Sequence, residues 1–306
     1  MPTTIDTSIV PECFTRFPAS RHDEEAQIAL ASAGAENSFH PSVKDSRTHG
    51  EGPYGVMYAL AFPQGDVERV KIAAEVIALL WVYDDVIEAL PYHQAAQEHV
   101  STAQLISSEE NGDSAAAMPK RLRDVMAQAA SLDPEGAVLL LRDIHQYLSE
   151  HDHEDPTFDT LQEYVPLRTL NFGYRVMDAC MRWSRGIVLT AEEQRTCIVF
   201  YASAARVMAL TNDYFSWELE KRRPADRAYN AVNIVMKQHT AMSELDAKLF
   251  LKGVIVDAEQ MTVRLAETLK RSESGNVRRY VQGVEDMLGG TGLWGATSPR
   301  YNSVNV

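Results

Sequence analysis

The chain has 306 residues, of which 45% are hydrophobic and 24% charged, the composition of an ordinary globular protein rather than of a disordered chain. Its 29 basic and 43 acidic side chains give a formal net charge of −14. This acidity argues against binding to nucleic acid or to an anionic membrane surface, because both require basic residues.

The cysteines and the N-terminus indicate a reducing compartment. Cys13, Cys180 and Cys197 are widely spaced and form no CxxC pair, so neither a disulfide framework nor a zinc site is expected. The N-terminus lacks the basic and apolar regions of a secretory signal, and the longest apolar run, 76–83, is far too short to span a bilayer. We therefore expect a cytoplasmic protein without a membrane span.

Apolar residues recur at three- and four-residue spacing beyond a less regular N-terminal segment, 1–52. In chain order, the predicted helices are 66–90, 120–149, 158–183, 190–222, 239–270 and 274–288. Thr190 and Glu193 form a capping-box pattern at the start of the fourth helix. Strand signals are nearly absent, and no long repeat is found. The sequence therefore predicts a single all-α domain over 1–306.

Polar segments, proline and glycine interrupt this pattern. The segments 107–120 and 151–157 have loop composition, and Pro166 should distort the third helix unless it lies near the helix start. His151 and His153 could ligate a metal, although an exposed polar loop is the favoured interpretation. A glycine-rich ending follows the last predicted helix.

The sequence DDVIE places Asp84, Asp85 and Glu88 directly after the apolar run of the first predicted helix. Asp84 and Glu88 are four residues apart, so their carboxylates project from one helix face. Acids in this position, at a helix C-terminus that already carries negative dipole, are costly unless they are paired or bind a metal. The alternative is a solvent-exposed helix end.

The sequence NDYFSWELE places Asn212, Ser216 and Glu220 at intervals of four residues, which forms one stripe along a helix. Amide, hydroxyl and carboxylate oxygens are hard ligands of the kind that suits Mg²⁺. The alternative is a polar outer stripe, but the presence of DDVIE in the same chain favours a metal site.

These two motifs, 128 residues apart, resemble the aspartate-rich and NSE motifs of class I terpene synthases. Arg168, in EYVPLR and 44 residues before the second motif, is similar to the diphosphate-sensing arginine of that family. Arg300 and Tyr301, in SPRYN, resemble its C-terminal Arg-Tyr pair. Over roughly 50–302 the chain resembles the cyclase half of fungal bifunctional di- and sesterterpene synthases, although Thr291 stands where the family usually has asparagine.

The resemblance implies an all-α bundle around a central cavity and a role for each motif residue. Three Mg²⁺ ions are implied, with ligands from Asp84, Glu88, Asn212, Ser216 and Glu220. Hydrogen bonds to the substrate diphosphate are implied for Arg168, Lys221, Arg300 and Tyr301. Asp85 is expected to orient Arg300, and Trp294 to line the cavity. Spacing alone does not separate Arg168 from Arg175 and Arg182, which share its heptad stripe, but the local match does.

The implied activity is Mg²⁺-dependent ionisation of a linear prenyl diphosphate, followed by cyclisation and release of diphosphate. Geranylgeranyl diphosphate (C20) is the expected substrate, with C25 ranked second and C15 third. We expect no fused prenyltransferase after Tyr301, so a prenyltransferase would supply the substrate in trans or as a separate domain. A homo-oligomer is also compatible with the sequence. One alternative is a trans-prenyltransferase, which should carry a second DDxxD in place of NDYFSWELE. The other is a non-catalytic helical binding protein.

Overall fold

The computed structural model of the chain describes residues 1–39, 50–88, 90, 92–107, 117–150, 157–222 and 229–302. His151 and His153 lie outside the described residues, as does most of the expected loop 107–120. The last part of that loop, from Ala117 onward, is helical.

The described part of the chain is almost entirely helical, which confirms the all-α prediction. Its helices are α1 (Glu25–Phe39), α2 (Met57–Ala61), α3 (Val67–Glu88), α4 (Tyr92–Ser107), α5 (Ala117–Leu132), α6 (Pro134–Glu150), α7 (Leu161–Asn171), α8 (Tyr174–Ser184), α9 (Ala191–Glu220), α10 (Ala231–Gln238), α11 (Glu244–Leu269), α12 (Gly275–Thr297) and α13 (Pro299–Asn302). None of the helices in these described ranges is long and apolar enough to cross a bilayer.

The N-terminal segment is more regular than the sequence indicates. Strands β1 (Thr3–Ile5) and β2 (Ala19–Arg21) pair antiparallel, with Thr4 opposite Ser20, and α1 follows them. Strands of three residues are too short to show an alternating pattern, and α1 has no strong apolar stripe. The sequence therefore assigned no element before residue 52, where the structure has β1, β2 and α1.

Two predicted helices are each divided in the structure. The predicted helix 120–149 breaks at Asp133, whose carboxylate accepts a hydrogen bond from the Gly136 N–H at 2.9 Å and so starts α6. The predicted helix 158–183 breaks at Gly173, whose φ of 83° lies in the left-handed region that favours glycine. Pro166 lies inside α7 without ending it. Apolar periodicity continues across both breaks, which is why the sequence shows one helix in each case.

The boundaries of the last helices also differ from the prediction. Helix α11 begins at Glu244, after a capping box in which Ser243 and Asp246 exchange hydrogen bonds, rather than at residue 239. Helix α9 begins as predicted, with the capping box of Thr190 and Glu193. Helix α12 continues through the glycine-rich segment to Thr297, so the expectation that the last helix would end near residue 288 was wrong.

The glycines of α12 serve close packing rather than a turn. A Cβ atom on Gly289 would lie 2.0 Å from the carbonyl oxygen of Pro18, and one on Gly290 would lie 2.0 Å from that of Leu60. These contacts place α12 directly against β2 and α2. Helices α3, α8, α9 and α12 all contribute residues to one interior space.

Candidate active site

A cavity of about 180 Å³ lies between these helices, and both sequence motifs contribute to its walls. The polar side chains that line it include Asp84, Asp85, Arg168, Asn212, Ser216, Glu220, Arg300 and Tyr301. Its apolar lining includes Ile77, Leu80, Trp81, Phe172, Met177, Met208 and Trp294. The site therefore joins a polar region to an apolar chamber.

The α3 wall carries the first motif. Asp84 and Asp85 line the cavity near the end of the helix, and Trp81 and Ile77 line it one and two turns earlier, respectively. The Oδ1 atom of Asp85 accepts a hydrogen bond from Arg300 Nη2 at 2.9 Å, which is the contact expected for Asp85. Glu88 is the last residue of α3, and its side chain lies outside the described part of the chain.

The α9 wall carries the second motif, because α9 is a single helix of 30 residues that keeps the stripe in register. Ser216 and Glu220 are buried, with 2% and 8% of their surface exposed. The Nδ2 atom of Asn230 donates to Glu220 Oε2 at 3.0 Å and lies 3.5 Å from Ser216 Oγ. Asn230 thus fixes the orientation of both side chains.

Asn212 links two further groups of the site. Its Oδ1 atom accepts a hydrogen bond from Arg168 Nη2 at 2.7 Å, and its Nδ2 atom donates to the Tyr301 hydroxyl at 3.0 Å. Burial raises the pKa of the Tyr301 hydroxyl, so this group stays protonated as a hydrogen-bond donor. One amide therefore joins α7, α9 and the C-terminal α13.

A buried carboxylate holds Arg168 in place. Asp213 Oδ1 accepts from Arg168 Nε at 2.8 Å, while Oδ2 accepts from the Tyr164 hydroxyl at 2.8 Å and from the Ala231 N–H at 3.0 Å. Burial raises the pKa of Asp213 to about 6, although the guanidinium of Arg168 opposes this shift. Burial disfavours the charge on Arg168, but Asp213, Tyr164 and Glu220 together outweigh this effect and hold the pKa of Arg168 above its ordinary value. Arg168 is therefore a fixed cation at the cavity wall.

The three arginines of the heptad stripe have different surroundings. Arg168 lines the cavity, whereas Arg175 and Arg182 are not among its lining residues. Arg182 pairs with Asp178 at 2.7 Å and with Asp143 at 2.9 Å, on helices α8 and α6. The structure thus brings into the site the arginine that the local sequence match selected.

Lys221 is not brought into the site, in contrast to the expectation from the sequence. It follows the last residue of α9, and its Nζ atom pairs with Glu218 at 2.8 Å and with Glu244 at 2.9 Å. It is not among the residues that line the cavity. Its ammonium group is engaged by these two carboxylates at the end of α9, so Lys221 is left out of the proposed site.

Trp294 forms part of the cavity wall, the position that the family resemblance implied for it. Its Nε1 atom donates to the carbonyl oxygens of Gly50 and Glu51 at 2.9 and 3.1 Å, which fixes the plane of the indole ring. The ring lies 5.5 Å from that of Trp81 and 5.3 Å from that of Tyr301, measured between centroids. These aromatic faces enclose the apolar chamber.

Three residues that support the site were missed from the sequence: Tyr164, Asp213 and Asn230. Asp213 lies inside the second motif, but its position between two stripe residues gave no indication of its role. Asn230 carries only a helix-start signal, and it does cap α10 by accepting a hydrogen bond from the Val232 N–H. Their roles depend on contacts between distant segments, which spacing along the chain does not reveal.

The donor chemistry of the site fits a hard divalent cation. Asn212, Ser216 and Glu220 present an amide, a hydroxyl and a carboxylate oxygen to the same cavity as Asp84. Within the described ranges, no group of three or more His, Cys, Asp and Glu side chains forms a metal cluster. In the α9 stripe, only Glu220 is a carboxylate.

The chain is similar in sequence to known terpene synthases. The sequence model described as terpene synthase family 2, C-terminal metal binding, matches residues 75–260. Ophiobolin F synthase oblA of Cochliobolus heterostrophus is 30% identical over 268 residues, which cover 83% of this chain and 36% of that protein. Sesterterpene synthase btcA of Colletotrichum orbiculare is 25% identical over 315 residues, which cover 95% and 44% respectively. The chain thus spans less than half the length of these curated relatives.

Solved structures share the fold at low sequence identity. Aristolochene synthase from Penicillium roqueforti superposes with a TM-score of 0.78 and 19% identity, covering 92% of this chain and 98% of that one. A cucumene synthase variant gives a TM-score of 0.79 at 16% identity, covering 94% and 99%. The helical architecture described above is therefore the one found in these enzymes.

Proposed function

The chain belongs to terpene synthase family 2, and from this premise we propose that it is a class I terpene cyclase acting on a linear prenyl diphosphate. The observation that carries the proposal is one cavity in which Asp84 of α3 and the α9 stripe of Asn212, Ser216 and Glu220 lie beside two arginines. Oxygen ligands together with fixed cations suit a diphosphate. A simple binding pocket for a neutral ligand would not require this combination.

Asp84, Asn212, Ser216 and Glu220 would hold the divalent metal ions, with Mg²⁺ as the proposed ion and three as the proposed number. Glu88 is retained as a further proposed ligand on the evidence of its sequence position alone. When bound, such ions supply charge neutralisation to the diphosphate as its C–O bond to the prenyl chain breaks. The protein's part is to hold these oxygens in fixed positions, which the hydrogen bonds of Asn230 support.

The diphosphate would also receive hydrogen bonds directly from the protein. Arg168 and Arg300 offer planar guanidinium groups suited to bidentate contact, and the Tyr301 hydroxyl adds a donor. Asp213 and Asp85 orient the two arginines at 2.8 and 2.9 Å. Preorganised donors of this kind stabilise a leaving group without reorganising during the reaction.

The apolar chamber would control the fate of the carbocation. Trp81, Phe172 and Trp294 line it, and aromatic faces attract positive charge. Apolar walls exclude water that would otherwise quench the cation. The final proton can pass to the released diphosphate, so the proposal needs no side-chain base.

We propose geranylgeranyl diphosphate as the substrate, supplied by a prenyltransferase in trans or as a separate domain, and a cyclic C20 hydrocarbon or alcohol as the product. The C25 diphosphate is the second candidate, because the relative from Colletotrichum orbiculare is named a sesterterpene synthase.

A substrate panel tests the proposal. The purified protein is incubated with C15, C20 and C25 prenyl diphosphates and Mg²⁺, and organic extracts are analysed by mass spectrometry. We expect a cyclic C20 product and stoichiometric diphosphate release. A second set with isopentenyl diphosphate tests chain elongation. Longer prenyl diphosphates without cyclic product would identify a prenyltransferase, and no diphosphate release from any substrate would support a non-catalytic binding protein.

A further inference from the structure

A small pocket lies directly behind one wall of the main cavity. This satellite pocket has a volume of about 10 Å³, room for about one water molecule. Four side chains line both spaces and form a dividing wall, namely Met208, Thr211 and Phe215 of α9 and Thr291 of α12. The far side of the pocket is formed by other residues, including Phe14, Val207, Glu259 and Leu288.

Met208 is the part of the dividing wall that lies toward the apolar end of the cavity. Met208 continues the stripe of Asn212, Ser216 and Glu220 by one helical turn, on the side away from Glu220. At a rise of 1.5 Å per residue, it is about 6 Å beyond Asn212 and about 18 Å beyond Glu220 along the axis of α9. A prenyl chain whose diphosphate meets the polar region would therefore direct its hydrocarbon tail toward Met208.

The far side of the satellite pocket is firmly held. Glu259 is 1% exposed, and its two carboxylate oxygens accept hydrogen bonds from Thr15 Oγ1 at 2.8 Å and from the Arg16 N–H at 3.1 Å. A Cβ atom on Gly292 would lie 3.1 Å from Thr15 Cβ, so the N-terminal segment already packs tightly against α12. The dividing wall is thus the side through which a longer substrate could gain space.

We infer that Met208 sets the longest prenyl chain that the cavity accepts, and that the satellite pocket is the space a longer tail would enter if Met208 were shortened. This inference rests on the proposed function, with C20 as the preferred substrate. The pocket alone is too small for a further five-carbon unit. The three heavy atoms removed by Met208→Ala would join it to the main cavity, at a position where the side chain is only 5% exposed.

Met177 provides a matched control. It is also a buried methionine, 6% exposed, and it lines the main cavity without touching the satellite pocket. Met208→Ala and Met177→Ala remove the same atoms, so a general gain of cavity volume would affect both variants alike. Only Met208→Ala would open the dividing wall.

The experiment measures kcat/KM for the C20 and C25 diphosphates and identifies the products by mass spectrometry. We expect Met208→Ala to raise the ratio of kcat/KM for C25 to kcat/KM for C20 about 10-fold or more over wild type, which is the scale of discrimination that a few methylene groups provide. Met177→Ala should leave this ratio within about 2-fold of wild type. Adding Leu288→Phe to Met208→Ala refills the satellite pocket from α12, so the ratio should return toward wild type. Met208→Val tests the same direction should the alanine variant fail to fold.

Three results would overturn the inference: an equal shift in both methionine variants, a shift that persists after Leu288→Phe, or a wild-type protein that already converts C25 as efficiently as C20. A wild-type protein that converts no prenyl diphosphate would instead overturn the proposed function, so the two failures are distinguishable.

Discussion

At the scale of single residues, the site depends on side chains that hold one another. Asn212 accepts a hydrogen bond from Arg168 Nη2 and donates one to Tyr301, while Asp213, the next residue, accepts from Arg168 Nε. Two adjacent residues of α9 thereby position an arginine from α7 and a tyrosine from the C-terminus. This arrangement gives the second motif a role in orienting the diphosphate donors as well as in holding metal.

Arg168→Lys tests this arrangement, because lysine keeps the charge but loses the planar group that contacts both Asn212 and Asp213. Loss of charge-assisted hydrogen bonds of this kind corresponds to a fall in kcat on the order of 10- to 100-fold. Arg175→Lys is the matched control from the same heptad stripe and should stay close to wild type. Steady-state kinetics with the C20 diphosphate measures both. An impaired Arg175→Lys beside a normal Arg168→Lys would show that the wrong arginine was chosen.

Asp213→Asn tests the buried ion pair. The amide cannot accept from all three donors that Asp213 now satisfies, and the buried Arg168 loses its counter-charge. Breaking a buried pair in this way typically costs about 3 to 5 kcal/mol of unfolding free energy. Tyr164→Phe removes only one hydrogen bond from Asp213 and should cost about 1 kcal/mol. Denaturant unfolding compares the two variants, and equal losses would contradict the assignment of Asp213 as the centre of the network.

At the scale of elements, α12 determines how closely the walls of the cavity approach. Its glycines face the backbones of β2 and α2, while Trp294, one turn after Gly290, faces the cavity. The helix therefore needs glycine where it meets these backbones and an aromatic residue one turn later, where it meets the cavity. A glycine-rich segment of this kind looks like a loop in the sequence although it is a tightly packed helix.

Gly290→Ala tests this interpretation against Gly253→Ala. The added methyl group at Gly290 would lie 2.0 Å from the Leu60 carbonyl oxygen, so α12 or α2 must shift; overpacking of this kind costs about 1 to 3 kcal/mol or more. A Cβ on Gly253 in α11 would meet no atom within 4 Å, so alanine there should stabilise the helix by about 0.5 to 1 kcal/mol. Thermal unfolding should shift in opposite directions; a stabilised Gly290→Ala would contradict the close contact.

At the scale of the whole molecule, the sequence was sufficient to predict the helical class and most of the motif residues that line the candidate site. Residues on one helix, such as Asp84 or Asn212, Ser216 and Glu220, could be assigned because a fixed helical period relates spacing to direction. The sequence did not reveal the helix break at Gly173, the strands near the N-terminus or the outward direction of the Lys221 side chain. Each of these features depends on packing between distant segments. The same limit applies to the length of the substrate chain. Of the dividing wall, the sequence drew attention only to Thr291, as a departure from the family pattern, and the wall itself is visible only in the tertiary structure.

The net charge of −14 has a role at this scale as well. With the proposed function, an acidic protein would need metal ions between itself and the anionic diphosphate, and Asp84 is a cavity-lining acid proposed to hold one. Removing Asp84 should therefore abolish ionisation of the substrate without unfolding the protein, because its carboxylate is proposed to serve metal rather than packing.

The most direct test compares Asp84→Ala with the control variant Glu68→Ala. Glu68 is an exposed acid of the same helix, α3, and among the described ion pairs it pairs only with Lys71. Diphosphate release and cyclic product from geranylgeranyl diphosphate are measured across a Mg²⁺ titration and after addition of a chelator. We predict that wild type and Glu68→Ala cyclise the substrate only when Mg²⁺ is present. Asp84→Ala should give no cyclic product, although its unfolding midpoint is unchanged. With chelator, no variant should give cyclic product. Full activity of Asp84→Ala, or cyclisation that persists in chelator, would contradict the proposal.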